Sequence, residues 1–267
     1  MNTPLLLARN DRVATLTLNR PESLNTLDFS LMDALIDASA EVASDDALRV
    51  VVIRGAGKHF MAGGDIRTFA GMLEGASSER TLRFKRMIAR LHSAIETFHR
   101  MPHPVIGQVQ GAVAGFGLSL MNACDLVVAA DNAYFASAYR AIGLTADGGG
   151  SWALPRLAGM RRAMEIMLLA ERFDAQQALA WGLVNRVVPL ADVDATVAAM
   201  VQSLVGGPTL AIRNAKRLMR ESLGRTLSKQ LDAEAASFAA CAGTADFAEG
   251  IAAFLEKRAP KYTGRKA

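Results

Sequence analysis

Two glycine-rich stretches some fifty residues apart constrain this chain more than any other feature. They are Phe60-Met61-Ala62-Gly63-Gly64-Asp65 and Gly111-Ala112-Val113-Ala114-Gly115-Phe116-Gly117. Each follows an apolar, β-branched run and leads into a segment that favours helix. Glycine admits positive φ and a close approach of backbone to ligand, and a helix start leaves N–H groups unpaired. Two such turns can aim two main-chain donors at one oxygen, which is how a developing enolate or thioester oxyanion is stabilised. A third glycine run, Asp147-Gly148-Gly149-Gly150, follows them.

The sequence around these turns alternates between strand and helix patterns. Leu5 to Ala8 and Val13 to Leu18 read as two short strands around an Asn10-Asp11 turn. Residues 28–43 are amphipathic, with Leu31, Leu35, Ile36 and Ala38 near one face and Asp28 or Ser30 able to cap the start. Val50-Val51-Val52-Ile53 is a continuous β-branched run, as expected of a strand covered on both faces. A long charged helix is predicted over 78–100 and is ended by Pro102 and Pro104; Val105 to Val109 and Asp125 to Ala129 follow as strands. This alternation implies an α/β fold with parallel pairing and crossover helices. Beyond Arg156, helices are predicted over 159–171, 174–181, 193–205, 208–222 and 226–256, with one strand at Leu183 to Val188. Gly206-Gly207-Pro208 divides the chain into a core of residues 1–205 and a helical region of residues 206–267.

Composition narrows the class further. With 267 residues, 51% of them hydrophobic and 21% charged, the chain can bury a sizeable core and is not a disordered segment. No apolar run reaches the roughly 18 residues of a membrane span, and no signal-peptide pattern opens the chain. Cys124 and Cys241 are isolated thiols, which suits a reducing cytoplasm, and no Cys/His spacing suggests a metal. The net charge of +4 includes a basic end at Lys257, Arg258, Lys261, Arg265 and Lys266, too modest to argue for nucleic acid. Met160, Met164 and Met167 read as helix core.

A resemblance adds to this reading. Asn19-Arg20-Pro21 with Leu24-Asn25-Thr26-Leu27, Ala62-Gly63-Gly64-Asp65, the run from Pro104 through Gly111 to Asp125, Ala178 to Val188 and Phe254 to Arg258 resemble the crotonase (enoyl-CoA hydratase/isomerase) superfamily over nearly the whole chain. The resemblance implies a spiral of ββα turns and a C-terminal helical region that builds trimers or dimers of trimers. It also implies an acyl-CoA thioester as substrate, with coenzyme A carried in that substrate and no further cofactor. The oxyanion donors it implies fall on the N–H groups of Gly64 and Phe116. For coenzyme A it implies Ser23, Leu24, Ala62 and Asp65, with Lys58, Arg67 and Lys257 able to meet phosphates and Phe254 reaching in from a neighbouring subunit.

The departures are informative. Two-glutamate hydratases of the superfamily carry carboxylates at the positions that here hold Ser119 and Tyr139, neither of which is a base at neutral pH. A carboxylate stands instead at Asp147, in a segment resembling the isomerases of phenylacetyl-CoA breakdown, which extends through Trp152 and Leu154-Pro155-Arg156. One carboxylate suffices for a double-bond shift, taking a proton α to the thioester and returning it at Cγ. Three other readings stay open: a hydratase using Asp147 and a water, an aryl-CoA dehalogenase or hydrolase using Asp147 and His92, and a non-catalytic CoA-binding subunit. His59, His99 and His103 are assigned no role.

Overall fold

The computed structural model describes residues 3–264; Arg265 and Lys266 of the basic end lie outside the described residues. β1 (Leu5–Asn10) and β2 (Val13–Leu18) pair antiparallel, and the chain turns between them at Asp11, whose φ is 51°. α1 (Phe29–Ser44) starts at Asp28, whose carboxylate accepts the Leu31 N–H at 2.8 Å. Its buried stripe is Leu31, Leu35, Ala38 and Val42, spaced by helical turns and packed into the main core. Truncating one of these leucines would cost on the order of 2–5 kcal/mol, because a close-packed site collapses only in part.

The central part of the chain repeats one unit, a strand in a large sheet, a short strand beside it and then helix. β3 (Val50–Gly55) leads to an isolated pairing of Met61 with Val113 and then to α2 (Ile66–Gly71) and α3 (Ser77–Arg100). β4 (Val105–Val109) leads to β5 (Ala112–Ala114) and α4 (Phe116–Ala123). β6 (Leu126–Ala130) leads to β7 (Tyr134–Ala136) and α5 (Gly150–Leu157). β3, β4 and β6 are parallel neighbours in one sheet, while β5 and β7 are parallel neighbours in another. This is a spiral of ββα turns. It continues through α6 (Gly159–Leu169), the two-residue β8 (Phe173–Asp174) beside β7, α7 (Ala175–Ala180), and β9 (Arg186–Val188) on the far edge of the large sheet.

The β-branched run of β3 is covered on both faces, as its composition required. Val51 and Ile53 face the main core, whereas Val50 and Val52 pack against Val193, Val197 and Val201 of α8 (Val193–Val205). α9 (Thr209–Ser222) is held to the start of β6 by Asp125, which pairs with Lys216 and Arg220 at 2.7 Å each. α10 (Leu227–Ala242) and α11 (Ala245–Leu255) replace the single helix expected over 226–256. They meet at a bend of 75°, because Gly243 ends the first and the Thr244 hydroxyl caps the second by accepting the Phe247 N–H.

Other expectations needed correction. The strand predicted over Leu183 to Val188 forms only at β9, since the chain leaves α7 through Gly182 (φ 76°) and enters the sheet where Asn185 bonds the Val127 backbone. Met160 and Met164 are not core: they are 60% and 51% exposed, and only Met167 packs on the core. No single helix among the described residues is long and apolar enough to cross a membrane. Cys124 is buried in apolar surroundings, which pushes its thiol up to about 12, and Cys241 is a free thiol far from it in sequence.

Candidate active site

The two glycine turns meet. Gly63 (φ 98°) and Gly115 (φ 52°) lie back to back, and a Cβ added to Gly115 would stand 3.3 Å from the Cα of Gly63. Pairing of Met61 with Val113 sets this register, with the Met61 N–H donating to Ala112 at 3.0 Å and Ala114 returning a bond at 2.9 Å. His59, which the sequence reading passed over, supports the same join: its Nδ1 accepts the Ala112 N–H at 3.0 Å. Because Gly115 takes the positive φ, Phe116 is an ordinary first residue of α4, and its N–H has no intrahelical acceptor. Among the described residues, neither the Gly64 nor the Phe116 N–H donates to a protein group.

Both residues line a cavity of about 670 Å³. Apolar side chains from α1, α2 and α3, including Met32, Phe69, Phe84, Met87 and Ile88, form most of its wall, together with Ile142 and Leu144. The Phe69 ring covers Gly64 so closely that a Cβ there would meet Cζ at 2.5 Å, and Phe84 braces that ring edge-on at 5.5 Å. Two carboxylates border this cavity. Asp28 is spent on capping α1 and on Arg20 at 3.0 Å. Asp147 has no such structural duty.

Asp147 reaches the cavity through a tight join to α4. Gly148 (φ 57°) lies against Phe116 and Ser119, where any Cβ would come within 2.8–3.0 Å of those side chains. Ser119 Oγ donates to the Asp147 carbonyl at 2.8 Å, and Tyr139 Oη donates to Asp147 Oδ1 at 2.5 Å. The Gly148 N–H donates to His92 Nε2 at 3.1 Å. Burial raises the Asp147 carboxyl above the usual range, and the Tyr139 hydrogen bond and the nearby His92 offset this only in part. Burial and the facing Asp147 charge push the Tyr139 hydroxyl far up, so it remains a neutral donor. The sequence put Ser119 and Tyr139 beside the site, but not the bond by which Tyr139 holds Asp147.

The residues expected to meet coenzyme A are distributed unevenly. Ser23 and Leu24 belong to a knot around Arg20 and Asn25. The buried Asn25 accepts the Arg20 N–H at 2.8 Å and donates to Ala56 and His59 carbonyls at 3.0 and 2.8 Å. Ala62 lines the cavity and its N–H donates to the Leu24 carbonyl at 3.1 Å; Ser23 and Leu24 themselves are not among the lining residues. Asp65 has a structural task instead. Its Oδ1 accepts the Arg67 and Thr68 N–H groups and its Oδ2 meets Arg20 at 3.4 Å. Burial works against its ionised form, but those hydrogen bonds outweigh it and hold the carboxyl below its usual value. Arg67 is exposed, between the cavity-lining Ile66 and Thr68, while Lys58 borders a separate polar groove with Arg54 and Asn132. Phe254, near the end of α11 and 82% exposed, and Lys257, just beyond it, are not among the residues that line the cavity.

The enoyl-CoA hydratase/isomerase family description matches residues 8–265. The chain belongs to the enoyl-CoA hydratase/isomerase family. It is 35% identical over 253 residues to the 1,2-epoxyphenylacetyl-CoA isomerase of Escherichia coli (strain K12), covering 95% of each chain. It is 33% identical over 247 residues to 4-chlorobenzoyl coenzyme A dehalogenase-2 of an Arthrobacter species, covering 92% of this chain and 88% of that one. The crystal structure of an enoyl-CoA hydratase from Polaromonas sp. JS666 superposes with a TM-score of 0.89 at 36% identity, over 97% and 99% of the two chains. The chain is therefore similar to relatives named for three different reactions on CoA thioesters.

Proposed function

We propose that this family member shifts a double bond in an acyl-CoA, converting a 3-enoyl to a 2-enoyl thioester or carrying out a ring-epoxide type isomerisation. The observation that carries the reading is one carboxylate, Asp147, that caps no helix and pairs with no Lys or Arg among the described residues, on the cavity bordered by the unpaired N–H groups of Gly64 and Phe116. In the double-bond shift, Asp147 takes a proton from Cα, the thioester oxygen gathers charge against the two N–H donors, and Asp147 returns the proton at Cγ. The electrons move within the substrate, so these steps call for no redox group or metal. Each oxyanion donor is worth on the order of 3–4 kcal/mol in other enzymes. Burial suits the carboxyl to this work by bringing it closer to neutral pH. His92 fits poorly as a base that activates water, because its Nε2 already accepts the Gly148 N–H.

Asp147→Asn keeps the shape and removes the base, so isomerisation of a 3-enoyl-CoA should fall about 10²-fold or more while CoA binding changes little. Full isomerase activity in Asp147→Asn, or a wild type that hydrates crotonyl-CoA rapidly and isomerises nothing, would overturn the reading. For coenzyme A we propose contacts from Ser23, Leu24 and Ala62, with Arg67 available to a phosphate. Lys257 and Phe254 would act from a neighbouring subunit. The proposed assembly is a trimer or a dimer of trimers in the cytoplasm. Exposed apolar residues on α10 and α11, among them Leu227 and Phe238 at 75% each, support it. Light scattering at micromolar concentration should give a trimer or hexamer; a stable monomer would contradict the assembly.

A further inference from the structure

The carboxylate's two oxygens stand in different surroundings, since one of them, Oδ1, carries the tyrosine hydroxyl. Tyr139 Oη lies 2.5 Å from Asp147 Oδ1 and 3.3 Å from Ser119 Oγ, while Ser119 Oγ lies 2.8 Å from the Asp147 carbonyl. A proton count orders these contacts. Ser119 gives its single proton to the carbonyl, the shorter of its two contacts, so Tyr139 has Oδ1 as its acceptor. The tyrosine itself is fixed by its backbone, which donates to Ser137 at 2.8 Å and accepts from Leu144 at 3.0 Å.

We infer that Tyr139 is a positioning residue that pins Oδ1 of Asp147 and so leaves Oδ2 as the one oxygen that exchanges a proton with the acyl chain. This rests on the isomerase reading above. One oxygen then takes the proton at Cα and returns it at Cγ, with no rotation of the carboxylate between the steps. Tyr139 transfers no proton itself. Without its hydroxyl the carboxylate could turn about χ2, and both oxygens would compete for the substrate proton.

The test compares Tyr139→Phe with the wild type in two ways. The first reading needs no substrate: the Asp147 carboxyl is titrated by carbon NMR on protein labelled at the aspartate carboxyl carbons, with Asp147→Asn assigning the signal. Loss of a donor to the ionised form should move that titration upward by about one pH unit. The other charged and titratable groups on the two cavities that Asp147 borders are the same in both proteins: Asp28 at the start of α1, Lys85, His92, Glu96, His99 and Arg100 on α3, and Arg213, Lys216, Arg217, Arg220 and Glu221 on α9. The second reading is kinetic. Turnover of a 3-enoyl-CoA should fall about tenfold or more with KM little changed, and the acid limb of the rate should follow the titration upward.

Replacing Tyr139 with 3-fluorotyrosine, a stronger donor of nearly the same size, should move the titration downward. This opposite shift separates positioning from a purely structural role and does not depend on Tyr139→Phe folding well. If neither variant moves the Asp147 titration, the inference is wrong even where Asp147→Asn is inactive. If Asp147→Asn stays active while Tyr139 variants do move it, the isomerase reading fails and the pinning of Oδ1 stands.

Discussion

One wall of the cavity is made of main-chain atoms and another of side-chain atoms, and the two are built differently. At Gly64 and Phe116 the working groups are N–H donors, placed by strand pairing at Met61 and Val113 and by the close approach of Gly63 and Gly115. Side-chain identity there matters only through the backbone angles it permits. At Asp147 the working group is a carboxylate, and its properties come from burial, from Tyr139 and from the turn at Gly148. The first wall has one chemical character, that of a pair of donors. The second can be altered one hydroxyl at a time. On the proposed reading, charge stabilisation is a property of the fold, whereas the proton chemistry is decided by a few side chains.

That contrast can be broken by experiment. The largest effect is expected at Gly115→Ala, because a φ of 52° strains any residue with a Cβ, and that Cβ would press on the Gly63 Cα at 3.3 Å and so shift the Phe116 N–H. Turnover should fall about 10²-fold or more and the melting temperature should drop; a normally active variant would show that this join does not set the donors. The next effect is on pH. Because the Asp147 carboxyl is raised by burial, catalysis by its ionised form should fade as pH falls through a value above the ~4 of an ordinary carboxylate. An acid limb at or below ~4 would contradict this.

The same shift has a consequence for stability. A group whose folded value is raised contributes stability below its unfolded value, and loses it as pH rises through the folded value. Asp147→Asn, which is neutral and still accepts from Tyr139, should therefore melt higher than the wild type at pH 7. That gain should vanish in acid, and calorimetry across pH would show it. Smaller effects are expected from the supporting side chains. Ser119→Ala loses one bond to the Asp147 carbonyl and should slow turnover less than about tenfold. His92→Ala should slow it less still, while leaving the Gly148 N–H without its acceptor and costing about 1 kcal/mol of stability. A large kinetic loss in His92→Ala with a 4-halobenzoyl-CoA would instead favour aryl-CoA chemistry.

The main-chain wall was legible in the sequence because glycine spacing encodes backbone geometry directly. The two turns follow from local rules, which also narrow the cap of α1 to Asp28 or Ser30, while the donor at Phe116 came from the family resemblance. The side-chain wall was legible only as a set of residue types. Asp147 stood out, yet its bond to Tyr139 depends on a loop conformation that no local pattern specifies. Asp65 shows the reverse case: the resemblance implied a coenzyme A contact there, but its oxygens cap α2 and meet Arg20. Short elements also escaped notice. β5 and β7 span three residues each, too few for a period-2 pattern to register. The break between α10 and α11 was written in Gly243 and Thr244, but the apolar positions on either side suggested one continuous helix.

The central claim is that one carboxylate moves one proton between two carbons of an acyl-CoA. It is tested most directly by turning over a 3-enoyl-CoA deuterated at Cα and locating the label in the product, for the wild type and Asp147→Asn side by side. The expected result is a 2-enoyl-CoA carrying part of the label at Cγ from the wild type, and almost no product from Asp147→Asn. Isomerisation that persists in Asp147→Asn, or a 3-hydroxyacyl-CoA as the only product of the wild type, would contradict it.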